Sequence, residues 1–385
     1  MSEALNVLVT GATGSLGPAV LPHLLRRGSV VVLLRTGEAG TARRLDLVLD
    51  AVTREDPEAP VGRLAAIAGD LSLPDCGLTA DDRRRLGREI THVLHLAADT
   101  RFSLPLPLAR KANVETTLGL LRLAERLPAL RGFGFASTLY VAGTRTGDVG
   151  EDDLKDTEFV NTYERAKFEA EWELRGRMTD LPIAVFRIAT LLGSARTGEV
   201  RKPTAIHQAL RLYHGGLVPM IPGDPAQRVE MLDVEHAAVA VARLLTDRFD
   251  AGTTYHVTAD PSGTLTLAEL IEETHRGLGE LDASWKSRGI ELPPLVRPPT
   301  YALFERSVEE AADPAMATVV RTMSTFLPQL LYPKRFHRTN TETALPDWDP
   351  PPVREYFRRV LAWGLRTRWG RRGRGAQALP AHASR

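Results

Sequence analysis

The stretch that decides the fold is Val7-Leu8-Val9-Thr10-Gly11-Ala12-Thr13-Gly14-Ser15-Leu16-Gly17, an apolar run that passes directly into three spaced glycines. The apolar run is typical of a buried parallel strand, and the glycines are typical of the turn into the following helix. Gly11 would allow the tight turn, Gly14 would let backbone N–H groups approach a pyrophosphate, and Gly17 would let helix and strand pack closely. The stretch therefore predicts a dinucleotide site contacted by Thr10, Gly11, Thr13, Gly14, Ser15, Leu16 and Gly17.

Short apolar runs alternate with helical patterns through the first half of the 385-residue chain. The predicted strands are 6–9, 30–34, 64–68, 92–96, 132–136 and 183–188, with a further strand at 253–258 that is expected to return to the sheet. This alternation predicts an α/β fold of Rossmann type, a doubly wound parallel sheet with helices on both faces. We expect a dinucleotide-binding domain over 1–200, completed by about 229–258, then a smaller, mostly helical substrate-binding region over 201–228 and 259–352, and an arginine-rich, partly disordered tail over 353–385.

The composition is that of an ordinary globular protein, with 43% hydrophobic and 25% charged residues and a net charge of +1. The single cysteine, Cys76, excludes an intramolecular disulfide and a thiolate metal cluster, and the histidines lack a shared metal-ligand spacing. The sequence has no basic leader, no apolar stretch of roughly 20 residues and no interleaving of basic and aromatic residues. We therefore expect a cytoplasmic protein without a transmembrane segment, a metal or a nucleic-acid partner.

The charge is unevenly distributed along the chain. Residues 353–385 contain nine arginines and one acidic residue, Glu355. One interpretation of such a segment is a solvated, frayed C-terminus. The other is a basic docking site for an acidic partner, such as a carrier protein or an anionic membrane surface. We keep docking of an acidic carrier protein as a hypothesis.

The end of the second predicted strand carries Arg35, where an acidic residue would accept hydrogen bonds from the ribose of NAD. A guanidinium offers a planar fork to a 2′-phosphate, so we expect NADPH rather than NADH, with Arg44 on the next helix as a second contact. Glu38 lies close in sequence and favours the alternative, NADH. The ends of the third and fourth strands complete the expected cofactor contacts with Asp70, Leu71, Ala97 and Ala98.

Tyr163 and Lys167 are four residues apart on a predicted helix, so both side chains can point into one cleft. A phenol has a pKa of about 10, and a neighbouring ammonium would lower that pKa toward the working range. The end of the fifth strand, which contains Ser137 and Thr138, supplies a hydroxyl that could hydrogen-bond a substrate oxygen as negative charge develops. After the glycine-rich start, this order of residues indicates hydride-transfer chemistry, whereas His95 is expected to pack internally.

These motifs resemble the extended short-chain dehydrogenases/reductases over roughly residues 5–260. Within them, the chain is most similar to the thioester-reductase branch, which includes fatty acyl-CoA reductases and the reductase domains of carboxylic acid reductases and nonribosomal peptide synthetases. The stretches that carry this narrower resemblance are 69–72, 95–102, 113–114, 137–138, 161–171 and 222–224. The resemblance implies a catalytic set of Thr138, Tyr163 and Lys167, with Asn113 supporting the lysine through water.

The same resemblance implies NADPH-dependent reduction of an acyl thioester, carried by coenzyme A or an acyl carrier protein, to an aldehyde and, with a second hydride, to an alcohol. The sequence leaves open a second interpretation on the same scaffold, an NAD(P)-dependent reductase or dehydrogenase of a ketone, an aldehyde or a secondary alcohol. A third interpretation is a dinucleotide-binding sensor without activity, against which the retained Tyr163 argues.

Overall fold

The computed structural model describes residues 5–35, 40–312, 314–324 and 327–370. The strands are β1 (Leu5–Thr10), β2 (Gly28–Leu34), β3 (Leu64–Ala68), β4 (His92–His95), β5 (Gly132–Thr138), β6 (Gly147–Val149), β7 (Ile183–Ile188), β8 (Thr190–Gly193), β9 (Ile221–Pro222), β10 (Arg228–Val229), β11 (Met231–Asp233), β12 (Thr254–Val257), β13 (Leu265–Thr266), β14 (Leu295–Val296) and β15 (Lys334–Phe336). The helices are α1 (Gly17–Leu25), α2 (Gly40–Glu55), α3 (Ala80–Glu89), α4 (Leu106–Arg110), α5 (Thr116–Ala124), α6 (Thr162–Arg175), α7 (Ala205–His214), α8 (Val234–Leu245), α9 (Leu267–Leu281), α10 (Ala283–Ser287), α11 (Pro298–Ala311), α12 (Pro314–Met323), α13 (Thr339–Ala344) and α14 (Val353–Thr367).

Seven parallel strands form the central sheet, in the order β12-β7-β5-β4-β1-β2-β3. β1 lies between β2 and β4, so that Val7 is paired with Val30 on one side and His92 on the other. The strand order reverses at this point, and doubly wound sheets bind ligands at the carboxyl ends of the strands beside such a reversal. The predicted Rossmann-type α/β fold is confirmed, and the predicted strands agree with the observed ones to within two residues at each end.

Both faces of the sheet are covered, as the apolar run in β1 requires. Val7 and Val9 belong to a core cluster that includes side chains of α1 and α8, whereas Leu8 belongs to a second cluster with side chains of α3 and α5. Successive side chains of a strand point to opposite faces, so a strand that is apolar at every position needs a helix layer on each side. The sequence of β1 therefore places it in the middle of three layers.

The chain divides into two compact units. The first comprises 1–191, 230–260 and 332–350 and contains the central sheet, and the second comprises 192–229, 261–331 and 351–385. Residues 332–350, expected in the substrate-binding region, thus belong to the unit with the sheet. The reason is that β15 pairs in parallel with β6, and that the buried Glu151 carboxylate accepts hydrogen bonds from the backbone N–H groups of Asn340 and Thr341.

The segment predicted as a tail begins with a packed helix, α14. Its buried face consists of Val353, Tyr356, Phe357, Val360, Leu361, Trp363 and Gly364. On its outer face, Arg354 pairs with Glu269 of α9 at 2.9 Å, and Arg358 pairs with Glu280 of the same helix. These arginines are therefore engaged within the second unit, and the remaining tail residues, 371–385, lie outside the described residues.

Candidate active site

The three glycines after β1 occupy positions that exclude a side chain. Gly11 has a φ of +77°, and a Cβ placed there would lie 2.6 Å from the backbone nitrogen of Ala97. A Cβ at Gly14 would lie 2.9 Å from the Gly11 carbonyl oxygen, and one at Gly17 would lie 2.5 Å from the Ala12 carbonyl oxygen. Gly11 therefore allows the turn to pack against the end of β4, and Gly17 allows α1 to approach the backbone of Ala12 closely.

This loop leads into an uncapped helix N-terminus. α1 is nine residues long, and no side chain caps its first turn. Around it, Thr10 and Leu16 are buried, Ser15 is half-buried and Thr13 is exposed. The N–H groups of an uncapped first turn and the positive end of the helix dipole suit a phosphate group. The loop therefore fits the pyrophosphate of a dinucleotide.

Two arginines, Arg35 after β2 and Arg44 in α2, offer donors to a further anionic group. The Arg35 side chain is 73% exposed, and its Nε lies 4.0 Å from Oδ2 of Asp70, whose Oδ1 accepts hydrogen bonds from Ser72. Arg44 of α2 has a buried Nε with no hydrogen-bond partner among the described residues. Leu71 and Ala97 are half-buried and Ala98 is exposed, while Glu38, the residue that favours NADH, lies outside the described residues.

The predicted catalytic residues meet where β5 ends against α6. Tyr163 and Lys167 lie one turn apart on α6, which begins after Asn161, whose side chain accepts a hydrogen bond from the Glu164 N–H. Thr138 is the last residue of β5, and its hydroxyl is a hydrogen-bond partner of the Tyr163 phenol. The structure thus places Tyr163 beside Thr138 and Lys167 one turn further along α6, and all three side chains are buried.

The Lys167 side chain contacts two residues of the neighbouring strand β5. Its Nζ donates a hydrogen bond to the Ala136 carbonyl oxygen at 2.7 Å and lies 3.9 Å from the centre of the Phe135 ring. Burial lowers the pKa of Lys167 to about 7, and the Glu171 carboxylate one turn further along α6 acts in the opposite direction. Burial therefore makes Lys167 easier to deprotonate than an exposed lysine.

The Tyr163 phenol differs from the sequence-based expectation of a lowered pKa. Burial raises the pKa of Tyr163 above its ordinary range, and the hydrogen bond with Thr138 offsets this only in part. The physical reason is that the Lys167 ammonium donates to a carbonyl group, so desolvation is the main influence on the phenol. A phenol that keeps its proton at neutral pH serves as a proton donor.

Ser137, the alternative to Thr138, belongs to a buried polar cluster. Its hydroxyl donates to Oε2 of Glu171 at 2.9 Å, and Glu171 accepts from Nε of Arg187 at 3.0 Å. Glu171 and Arg187 are 0% and 1% exposed, respectively. Neighbouring residues of a strand point to opposite faces, so Thr138 and Ser137 cannot share one role. The geometry favours Thr138 as the hydroxyl beside the phenol.

Asn113 lies in a π-helical turn, Lys111–Glu115, between α4 and α5. Its side-chain oxygen accepts a hydrogen bond from the backbone N–H of Asp99 at 2.9 Å, and its amide donates to the carbonyl of Asp99 at 3.1 Å. The side chain therefore fixes the loop that follows β4. Its implied support of Lys167 through water stays a prediction.

His95 connects the glycine loop to this π-helical turn. Its Nδ1 lies 2.7 Å from Oγ1 of Thr10, and its Nε2 lies 3.0 Å from Oγ1 of Thr117, which donates to the Asn113 carbonyl at 2.6 Å. Because the Thr117 proton is used, Thr117 accepts from Nε2–H, and Nδ1 accepts from Thr10. Burial lowers the pKa of His95 to about 3, so the ring is neutral and serves to tie β1 to α5.

Two parts of the site were missed by sequence reasoning. Phe102, in the loop after β4, stacks on Tyr163 with the ring centroids 5.6 Å apart. The second is the buried Glu171–Arg187 ion pair, whose carboxylate interacts electrostatically with Lys167. A signal existed for Glu171, since it lies four residues after Lys167 on the same helix face. Phe102 ends the stretch 95–102 that carries the family resemblance, but no pattern in that stretch predicted its contact with Tyr163.

Two further properties concern the described part of the chain as a whole. None of its helices has both the length and the apolar character that a membrane crossing requires. No group of three or more His, Cys, Asp and Glu side chains there is arranged to hold a metal ion.

Comparison with known proteins gives one family and several distant relatives. The NAD-binding family model described as "Male sterility protein" matches residues 9–241. A linear gramicidin synthase of Brevibacillus parabrevis is 28% identical over 66% of this chain and 5% of the relative. Fatty acyl-CoA reductase wat of Drosophila melanogaster is 25% identical over 70% of this chain and 60% of the relative. The chain thus spans less than two thirds of the length of either.

Solved structures show the same fold over almost the whole chain. The terminal R domain from the myxalamid PKS-NRPS biosynthetic pathway has a TM-score of 0.76 at 22% identity, covering 96% of this chain and 94% of that domain. The reductase (R) domain of a nonribosomal peptide synthetase from Mycobacterium tuberculosis has a TM-score of 0.67 at 24% identity, covering 95% and 92%. On the family match over residues 9–241, the chain belongs to the Male sterility protein family, the thioester-reductase-like branch of the NAD(P)-dependent extended short-chain dehydrogenases/reductases.

Proposed function

We propose that this chain is an NADPH-dependent reductase that converts an acyl thioester into an aldehyde. The observation that carries the proposal is the buried Tyr163 phenol, which keeps its proton and lies beside Thr138, one helical turn before the buried Lys167. Membership of the thioester-reductase-like branch supports the choice of a thioester over other carbonyl substrates.

The proposed roles follow from the charge that develops during reduction. When bound, the nicotinamide cofactor supplies the hydride. Thr138 and Tyr163 donate hydrogen bonds to the thioester carbonyl oxygen, and these bonds strengthen as that oxygen becomes negative. Tyr163 can then protonate the oxyanion, because its raised pKa keeps the proton on the phenol until it is needed. Expulsion of the thiol from the resulting hemithioacetal leaves the aldehyde.

A covalent route through a cysteine has no support in this chain. Its single cysteine, Cys76, is 0% exposed in the core cluster that also contains Leu8. Burial raises the pKa of the Cys76 thiol to about 11, so the nucleophilic thiolate is scarce at neutral pH. This supports direct reduction of the thioester carbonyl.

We infer NADPH as the preferred cofactor from Arg35 and Arg44. The exposed Arg35 guanidinium and the unpartnered Nε of Arg44 suit the charge and donor requirement of a 2′-phosphate. A charge-assisted hydrogen bond contributes about 1.5–3 kcal/mol. We therefore expect Arg35→Ala to raise the KM for NADPH by about tenfold or more and to leave the KM for NADH nearly unchanged. An equal rise for both cofactors would remove this inference.

The thioester is proposed to be carried by coenzyme A or an acyl carrier protein. The hypothesis that the basic segment docks an acidic carrier protein cannot rest on Arg354 and Arg358, because both are paired with acidic residues of α9. We apply it to the arginines after Gly370, namely Arg371, Arg372, Arg374 and Arg385. Truncation after Gly370 should weaken turnover of carrier-bound thioesters and spare coenzyme A thioesters, and equal effects on both would reject docking. A cytoplasmic location stays a prediction.

The experiment that tests the proposed function follows NADPH consumption, with NADH as control, on acyl-CoA thioesters, the matching aldehydes and simple ketones. Mass spectrometry of the products supports the proposal if aldehyde or alcohol forms from the thioester, and it also gives the number of hydrides transferred. Turnover of ketones or aldehydes alone would refute the thioester assignment and identify a carbonyl reductase with the same catalytic residues.

A further inference from the structure

Phe102 covers one face of the Tyr163 ring. The two rings stack with centroids 5.6 Å apart and planes inclined by 23°. The Tyr140 ring meets Phe102 edge to face at 6.5 Å, and the Tyr140 hydroxyl is fixed by Oγ1 of Thr190 at 2.8 Å. The phenol of Tyr163 therefore has an aromatic wall on one side, and Phe102, which is half-buried, is the part of that wall carried by a loop.

The loop that carries Phe102 is pinned on both sides by neighbours of the catalytic residues. Thr162, immediately before Tyr163, donates through its hydroxyl to the Leu104 carbonyl oxygen at 2.7 Å. On the other side, Asn113 holds the backbone of Asp99 through two hydrogen bonds. A side chain whose backbone is held at both ends keeps a defined position beside the reacting atoms. Phe102 is thus built into the site.

We propose that Phe102 is a specificity-determining residue that forms the wall of an acyl subsite and favours an unbranched carbon next to the reacting carbonyl. The inference rests on the proposed function. A carbonyl oxygen that accepts a hydrogen bond from the phenol lies about 2.7 Å from the phenolic oxygen. The carbonyl carbon and its first substituent then come alongside the ring that stacks on that phenol.

The chemistry of the wall selects the acyl side over the thiol side. The thiol arm of coenzyme A or of a carrier protein contains amide groups, and burying an amide against an apolar ring without a hydrogen bond is unfavourable. An alkyl chain has no such requirement. A methyl branch that points toward the Phe102 ring would overlap that ring, because its contacts with Tyr163 and Tyr140 keep it in place. Packed interiors accommodate added volume poorly.

The test compares thioesters that differ only in branching, hexanoyl-CoA and 2-methylhexanoyl-CoA, together with the matching aldehydes. One methyl group changes discrimination in an apolar pocket by about 10- to 200-fold. We expect the wild-type chain to prefer the unbranched substrate by at least about tenfold in kcat/KM, Phe102→Ala to lose most of that preference, and Phe102→Trp to retain or increase it. Trp172→Ala is the matched control, because Trp172 is an aromatic residue of the same helix as Tyr163 but is 57% exposed.

The outcomes separate this inference from the proposed function. If thioesters are not reduced but aldehydes are, the proposed function fails, and the same branching ratio measured on the aldehydes still decides the role of Phe102. An unchanged ratio in Phe102→Ala, with the far-UV circular dichroism of the wild type, overturns the inference. It is also overturned if Phe102→Ala changes the preference between the coenzyme A and N-acetylcysteamine thioesters of one acyl group while leaving the branching ratio unchanged.

Discussion

Replacing Glu171 with glutamine removes one charge from a buried ion pair and leaves the other charge behind. Arg187 is 1% exposed, and its guanidinium donates to Glu171 through both Nε and a terminal nitrogen. Its other terminal nitrogen lies 3.2 Å from Nε2 of His256, a neutral group because burial lowers the pKa of His256 to about 3. The substitution therefore leaves a guanidinium buried without the carboxylate that balances its charge.

The expected cost is about 3–5 kcal/mol, the range found when one partner of a buried ion pair is removed. That is a large part of a typical free energy of unfolding of roughly 5–15 kcal/mol. Ser137→Ala provides a graded comparison, since it removes one hydrogen bond to the same carboxylate and should cost about 1.5–3 kcal/mol. The order of the two effects follows from the structure alone.

Urea denaturation followed by circular dichroism measures both effects. Glu171→Gln should lower the midpoint more than Ser137→Ala with little change in the slope. Combining Glu171→Gln with Arg187→Met should recover part of the loss, because the second substitution removes the unpaired charge. A Glu171→Gln variant within about 1 kcal/mol of the wild type, or a double variant whose loss is the sum of the single losses, would refute the buried pair.

Three further predictions concern the glycine loop, Lys167 and His236. Gly11→Ala should lower the free energy of unfolding, measured by urea denaturation, by roughly 2–5 kcal/mol, because it combines a left-handed backbone with a Cβ 2.6 Å from the Ala97 nitrogen. An unchanged free energy of unfolding would contradict the loop geometry. The kcat/KM for NADPH reports the protonation of the free enzyme, and it should fall as the pH rises through about 7, where Lys167 loses its proton. The Lys167→Arg variant should lack this inflection. An identical pH profile in the wild type and the variant would exclude Lys167 as the origin of the inflection. The pKa of His236 is raised by its hydrogen bond to Asp233, so its stabilising effect is complete below the unfolded pKa of about 6.5 and is lost as pH rises through the folded value. The stability gap to His236→Gln should therefore be largest below about pH 6.5 and narrow at higher pH, and a constant gap would count against the pairing.

The parts of the molecule that the sequence predicted are those set by local patterns. The turn after β1 needs glycines at fixed offsets, and the structure puts a backbone atom within 3 Å of the Cβ that any other residue would add at Gly11, Gly14 or Gly17. Tyr163 and Lys167 lie one turn apart on α6 because residues four apart share a helix face. Both arguments use neighbours in sequence, so they need no knowledge of the rest of the fold.

The first helix of the basic segment shows a pattern that composition concealed. The buried residues of α14 begin with positions i, i+3, i+4, i+7 and i+8 from Val353, which is the repeat of an amphipathic helix, and continue with Trp363 and Gly364. Counting arginines favoured a tail, although the arginines occupy only the outer positions. The hydrophobic period was the better predictor here.

The features that escaped prediction join residues far apart in the chain. Ser137, Glu171 and Arg187 come from β5, α6 and β7, and β15 pairs with a strand about 190 residues earlier. Asn113 illustrates the same limit, since its amide engages Asp99 only because the loop after β4 passes over the π-helical turn. Such contacts depend on which elements become neighbours, and a local pattern does not contain that information.

The measurement that tests the central claim most directly is the thioester turnover of Tyr163→Phe, with Tyr140→Phe as its control. Both substitutions remove a phenolic hydroxyl, but the Tyr140 hydroxyl is hydrogen-bonded to Thr190 while that of Tyr163 lies beside Thr138. Loss of a general acid should lower kcat by about 10²- to 10⁴-fold in Tyr163→Phe, with Tyr140→Phe remaining within a few-fold of the wild type. Thioester reduction by Tyr163→Phe at a rate close to the wild-type rate would contradict the account.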